Sequence, residues 1–163
     1  MTVVRPIDVN HDEVMGADEA DDRGSAPTAM EVLDRDECLA LLAAHSVGRI
    51  AVIANDNTPF VVPVNYQLNG EIIVFRTDEG TKLDGLLRHP VAFQIDSIDP
   101  VQHTGWSVLV QGIAHVTAQH ELESTHVEPW AGPKPHWIQL VSRSISGRRL
   151  RLRDGPYEPG GYL

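Results

Sequence analysis

The texture of apolar and polar positions along the chain changes at Gly48. Before it, Leu39, Leu41 and Leu42 supply an apolar helical face, Asp34 and Glu37 stand at the spacing of a capping box, and Leu33 and Cys38 can make the flanking apolar staple. A helix starting at Asp34 is expected, with Gly48 as its left-handed stop. After Gly48 the residues favour β-structure: 49–54, 60–68 and 71–77 are rich in Val, Ile and Phe, and polar turns at 55–59 and at Asn69-Gly70 divide them. They predict a three-stranded meander. An Asn-Gly pair favours a two-residue type I′ turn, which sets Leu68 opposite Glu71, Asn65 opposite Val74, Val64 opposite Phe75 and Pro63 opposite Arg76. Pro63 cannot donate to a ladder, so it implies an edge, a bulge, or a place where a ligand replaces the neighbouring strand.

Further along, Leu83, Leu86 and Leu87 share one face of a short helix over 81–89, with Thr81 and Asp84 at capping spacing and Pro90 as the stop. Residues 91–96 read as a strand and 97–104 as a loop. Residues 106–117 form a long strand with Gly112 where a bulge or barrel corner belongs. A short helix at 121–127, a Pro-rich loop at 128–135, one or two strands over 137–153 and an irregular end at 154–163 complete the reading. About six strands with short helices and hairpin connections describe a mainly β protein built as a small antiparallel barrel.

Composition sets the limits of that picture. The 163 residues, 42% of them hydrophobic, suffice for one core. Residues 1–30 hold seven acids and two bases and no aromatic residue, so they are expected to be a disordered acidic tail before a single domain over 31–163. The net charge of −10 argues against nucleic acid as a partner. Cys38 is the only cysteine, which excludes an intrachain disulfide and a multi-cysteine metal site. No apolar run approaches the length of a membrane span and no signal peptide is recognisable, so a cytoplasmic protein without a membrane partner is expected.

Candidate chemistry concentrates at Phe75-Arg76-Thr77-Asp78-Glu79-Gly80-Thr81-Lys82, a strand end, a Gly turn and a helix start in eight residues. Free N–H groups of a first helical turn, the Thr81 hydroxyl, the Lys82 ammonium and the Arg76 guanidinium can converge there on an anion. The same residues also read as an ordinary N-cap and an exposed lysine. Trp106-Ser107 offers either an aromatic wall and a hydroxyl beside a planar ligand or a core tryptophan. Asn65, Gln67 and Gln111 are amides that need partners, from backbone or from a heterocycle edge. Eight histidines show no paired metal-ligand spacing, so no metal site is expected, although one histidine suffices for an axial heme bond. Arg149, Arg151 and Arg153 share a strand face that suits ion pairs with acidic neighbours or an anionic ligand. Nothing matches a Gly-x-Ser-x-Gly hydrolase elbow.

The sequence resembles the pyridoxamine 5′-phosphate oxidase-like, FMN-binding split-barrel family, in particular its nitroimidazole-reductase-like and flavin or deazaflavin oxidoreductase branch. The matching pieces are Ser46-Val47-Gly48-Arg49-Ile50-Ala51, Pro63-Val64-Asn65-Tyr66, Phe75-Arg76-Thr77 with Gly80-Thr81-Lys82, the run from Gly105 to Gly112 containing Trp106-Ser107-Val108, and Ile145-Ser146-Gly147-Arg148-Arg149. The resemblance implies a six-stranded antiparallel split β-barrel that forms a homodimer with two FMN molecules in interface clefts. It implies that Thr81 and Lys82 hold the phosphate, that Arg76 and Thr77 contact the phosphate or ribityl chain after Phe75, and that Pro63, Val64, Asn65 and Tyr66 lie along the flavin ring. Trp106 and Ser107 would flank that ring, and Arg148 would sit on a cationic rim. The implied activity is hydride or electron transfer to a small-molecule substrate through FMN, with no catalytic acid or base identified. Related barrels place the deazaflavin coenzyme F-420 or heme in the same cleft, as reductases or as non-enzymatic binding and sensor proteins. The C-terminal substrate-phosphate motif of true pyridoxamine phosphate oxidases is not recognisable, so pyridoxamine phosphate is not the expected substrate.

Overall fold

A computed structural model describes residues 28–122 and 125–152. Six antiparallel strands close into a barrel and a seventh is added outside it. The elements are β1 (Thr28–Leu33), α1 (Arg35–Ala44), β2 (Val47–Ile53), β3 (Pro59–Asn69), β4 (Ile72–Thr77), α2 (Thr81–Arg88), β5 (Val91–Asp99), β6 (Thr104–Thr117) and β7 (His136–Leu152). Around the barrel the order is β7-β4-β3-β2-β5-β6 and back to β7. Closure depends on β7, whose first half lies between β4 and β6 while its second half leaves β4 and takes β1 as its other neighbour. No edge in the ring remains open to a foreign strand.

The barrel is filled by alternate residues of every strand, among them Ile50, Val52, Val64, Tyr66, Ile73, Phe75, Phe93, Ile95, Val108, Val110, Ile138 and Leu140, all buried. Tyr66 and Phe93 meet edge to face at 4.8 Å between centroids. The Tyr66 hydroxyl donates to the Leu42 carbonyl at 2.7 Å and so ties α1 to the barrel. Burial raises the Tyr66 pKa well above its ordinary value.

The capping box is present in full: Asp34 Oδ1 accepts from the Glu37 N–H at 2.8 Å, and Glu37 Oε2 accepts from the Asp34 N–H at 3.2 Å. The helix stops at His45, however, before Gly48. Gly48 lies inside β2, where a Cβ would stand 2.1 Å from Phe93 Cζ, so its smallness serves barrel packing and not a helix terminus. The β3–β4 hairpin pairs Asn69 with Ile72 and Tyr66 with Phe75, a register displaced by two residues from the Asn-Gly expectation. The turn is Gly70-Glu71, with Gly70 at φ 61°. A shift of two preserves the face of every side chain, which is why the inward and outward sets still follow the sequence pattern.

Three further differences concern element limits. β1 starts at Thr28, within the stretch expected to be tail, and pairs with β7 with Glu31 opposite Arg149. β5 extends to Asp99, and a single 3-10 turn at Gln119–Glu121 stands at the start of the expected helix at 121–127, of which residues 125–127 are not helical. β7 is one strand, as one of the two expected forms had it. The tail up to residue 27 and the irregular end from residue 153, including Arg153, lie outside the described residues. Among the described residues no helix is long and apolar enough to cross a membrane.

Candidate functional site

The outer face of the β3–β4 hairpin builds the site. Asn65, Gln67 and Asn69 alternate outward along β3, and all three hold the segment that follows β6. Asn69 Nδ2 donates to Thr125 Oγ1 at 2.9 Å, the His126 N–H donates to Gln67 Oε1 at 2.7 Å, and the Trp130 N–H donates to Asn65 Oδ1 at 3.1 Å. Beneath this amide ladder Val74 of β4 packs with Leu122, Val127 and Trp137 in a small second core. The partners of the strand amides are therefore loop groups, and the segment 125–134 forms a roof over the hairpin.

Where the roof ends, two chambers open side by side. One, of about 70 Å³, is lined by Pro63, Val64, Asn65, Arg76, Lys82, Pro129, Ala131 and Lys134. The other, of about 300 Å³, is lined by Val47, Pro63, Val64, Asn65, Trp130 and Ala131. They share Pro63, Val64, Asn65 and Ala131, so they form one cleft with a cationic and an apolar end, within the size range of small-molecule sites.

The cations are prepared for an anion. Arg76 lies over the Trp137 ring at 4.8 Å and donates through Nε to the Lys134 carbonyl at 2.8 Å. Its guanidinium has no carboxylate partner among the described residues. Lys134 pairs with Asp78. Burial pushes the Lys82 pKa down, the positive charge of Lys134 pushes it further, and Asp78 only partly opposes them. Three cations thus face one carboxylate, and an arriving dianion would relieve their mutual repulsion. α2 begins beside them at Thr81, with Gly80 as N-cap at φ 115° and no side chain capping the first turn, so its N-terminal dipole adds to the same field. Thr81, expected as the cap, is the exposed first helical residue instead.

The structure divides the residues expected at the site into three groups. Pro63, Val64, Asn65, Arg76 and Lys82 line the cleft. The side chains of Tyr66, Phe75 and Thr77 point into the barrel; Thr77 is fully buried and its hydroxyl donates to the Asp78 carbonyl at 3.3 Å, so only main-chain contact is open to these three. Trp106, Ser107 and Arg148 line a separate cleft of about 250 Å³ with Met30, Ile98, Gly105 and Leu150, and it shares no residue with the first. There His45 meets Trp106 edge to face at 4.9 Å, and Arg148 Nη1 donates to the adjacent Gly147 carbonyl at 3.1 Å. Arg149 and Arg151 are taken up by ion pairs, Arg149 with Glu31 and Glu37 and Arg151 with Glu31. Sequence reasoning missed Lys134 and Trp130, since nothing local shows that the Pro-rich loop folds back onto β3. Among the described residues no group of three or more side chains could hold a metal ion.

A mainly β barrel with a cleft of this polarity defines a class of small-ligand-binding split barrels, and the comparisons agree. The family profile described as pyridoxamine 5′-phosphate oxidase matches residues 34–149, and the chain belongs to that family. An uncharacterised protein of Mycobacterium tuberculosis is 34% identical over 134 residues, covering 76% of this chain and 88% of the relative. The structure of an FAD binding protein from Mycobacterium smegmatis is 32% identical with a TM-score of 0.59, covering 76% of this chain and all of that one. An FAD-binding protein from Mesorhizobium loti shares the fold at a TM-score of 0.65 and 24% identity, covering 77% of this chain and 99% of that one.

Proposed function

We propose that this protein is a flavin-binding oxidoreductase acting on small molecules as a homodimer, with FMN as the leading cofactor. The observation that carries the reading is the continuity of the two chambers: a cationic end of Arg76, Lys82 and Lys134 joined along Pro63–Asn65 to an apolar end, the polarity of a phosphate linked to a planar ring. Family membership and the FAD-binding relative at 32% identity support it. When bound, the flavin supplies hydride or electron transfer. The chain's part is to hold the phosphate through Lys82 and the pre-oriented Arg76, to lay the ring against Pro63 and the main chain of Val64, and to keep water from it. In this reading the cleft of Trp106, Ser107 and Arg148 meets the open side of the same ring from a second copy of the chain. The exposed apolar residues Val47, Val61 and Leu109 on the barrel surface suit such an association. A single, buried cysteine suits a reducing cytoplasm.

The test is an absorption and fluorescence titration of the purified protein with FMN, FAD, deazaflavin coenzyme F-420 and heme. Saturable binding of FMN or FAD, followed by reduction of the bound flavin by a nicotinamide donor, is the expected result. Binding of the deazaflavin or heme alone overturns the cofactor assignment, and binding of none overturns the function. A bound flavin that no nicotinamide or deazaflavin donor reduces identifies a carrier or sensor.

A further inference from the structure

We infer that the loop carrying Pro129 to Lys134 is the second wall of the cofactor site, with Lys134 as a third phosphate cation and the Trp130 indole as the stacking surface for the flavin ring. The inference rests on the flavin reading of the cleft and adds two residues from a segment far from the strand-end motif in sequence. Trp130 is 79% exposed, a large apolar surface left open to water at the mouth of the apolar chamber. Exposure of that size on a tryptophan is unfavourable unless something covers it, and the occupant favoured beside three cations is an anionic molecule with an aromatic ring. The backbone that carries the ring is held in place: the Trp130 main-chain N–H donates to Asn65 Oδ1, and the loop is anchored earlier by Gln67 at His126 and by Asn69 at Thr125. A platform whose backbone is held this way has less conformational entropy to lose on stacking.

Lys134 closes the other end. Its carbonyl orients Arg76, its ammonium pairs with Asp78, and it lines the same small chamber as Arg76 and Lys82, where all three cations converge. Asp78, half-exposed, acts as the counter-ion that a phosphate replaces. The carbonyl survives substitution of the side chain, so Lys134→Ala removes the charge without releasing Arg76. Asn65, Gln67 and Asn69 are positioning residues in this scheme, acting through the loop they hold.

Riboflavin, FMN and FAD separate the two ends, because riboflavin has the ring and no phosphate. Equilibrium titrations of the full chain, read by quenching of flavin fluorescence, are expected to show Trp130→Ala weakening all three ligands by about tenfold or more, as aromatic stacking platforms do. Lys134→Ala is expected to weaken FMN and FAD by about tenfold or more and to leave riboflavin within about twofold, as loss of a charge-assisted bond requires. Thermal midpoints close to wild type check that both variants fold. Unchanged affinities in a wild-type protein that binds flavin overturn this inference and leave the proposed function standing. A Trp130→Ala defect confined to FAD overturns the ring assignment by placing adenine on the indole. A Lys134→Ala defect equal for riboflavin and FMN overturns the phosphate role. Failure of the wild-type protein to bind any of the three overturns both this inference and the flavin reading.

Discussion

Lys82 and Arg76 carry the same charge into the cleft on differently shaped heads, a compact ammonium and a planar guanidinium. Burial, and after it the nearby Lys134, push the Lys82 pKa below the 10.5 of a free lysine. In the window between that lowered value and 10.5 the unfolded chain binds more protons than the folded one, so this group makes stability rise with pH there. For ligand affinity the sign is opposite: a phosphate dianion favours the charged lysine, so binding takes up a proton, and affinity falls as pH rises through the lowered pKa. FMN titrations from pH 7 to 10 should show that fall in wild type, and Lys82→Arg should flatten it. An unchanged alkaline limb in Lys82→Arg would remove Lys82 from the phosphate site. Both residues were legible in the sequence because strand end, glycine turn and helix start are adjacent there. Lys134 was not, since its place beside Arg76 depends on a contact 58 residues apart. Tyr66, Phe75 and Thr77 show the converse limit, for a motif marks the run of the backbone and the strand period decides which of its side chains face the ligand.

Strands were legible by texture and their ends were not. The Asp34–Glu37 box located the start of α1 correctly because its hydrogen bonds are local. β1 was missed because its favourable partners, Arg149 opposite Glu31 and Arg151 ion-paired with the same carboxylate, come from the far end of the chain, and because Met30 and Val32 remain exposed and leave no burial pattern to read. The corner in β6 was legible from Gly112 alone. The ladder with β7 slips between Gln111 and Gly112, and a Cβ at Gly112 would stand 2.1 Å from the Val141 carbonyl oxygen. The atom in the way is backbone, so a rotamer change cannot relieve it. Gly112→Ala should therefore destabilise the fold by about 1–3 kcal/mol, the usual cost of overpacking, seen as a lower denaturant midpoint at unchanged slope. A midpoint within about 0.5 kcal/mol of wild type would mean that β7 yields at the bulge and that closure tolerates a looser corner.

At the scale of the molecule, the residues whose pattern suggested one flavin site stand in two clefts, with Pro63, Asn65, Arg76 and Lys82 in one and Trp106, Ser107 and Arg148 in the other. The barrel itself keeps them apart: the first cleft is on the β3–β4 hairpin, while the second is where the start of β6 lies between the end of β5 and the distal half of β7. A two-fold dimer resolves the division if each site takes its cationic half from one protomer and its Trp106 half from the other, as an isologous interface allows. That arrangement makes a prediction that a site within one chain does not. Lys82→Ala and Trp106→Ala should each impair FMN binding in their own homodimers. When the two variants are unfolded together and refolded as a mixture, about half of the dimers should be mixed, and in each of those one site receives both substitutions and the other neither. About one quarter of all sites should then bind FMN with wild-type affinity, countable as the tight phase of a titration. No tight phase in a mixture shown to contain mixed dimers would mean that both residues act on a site in the same chain, and the Trp106 cleft would need another ligand.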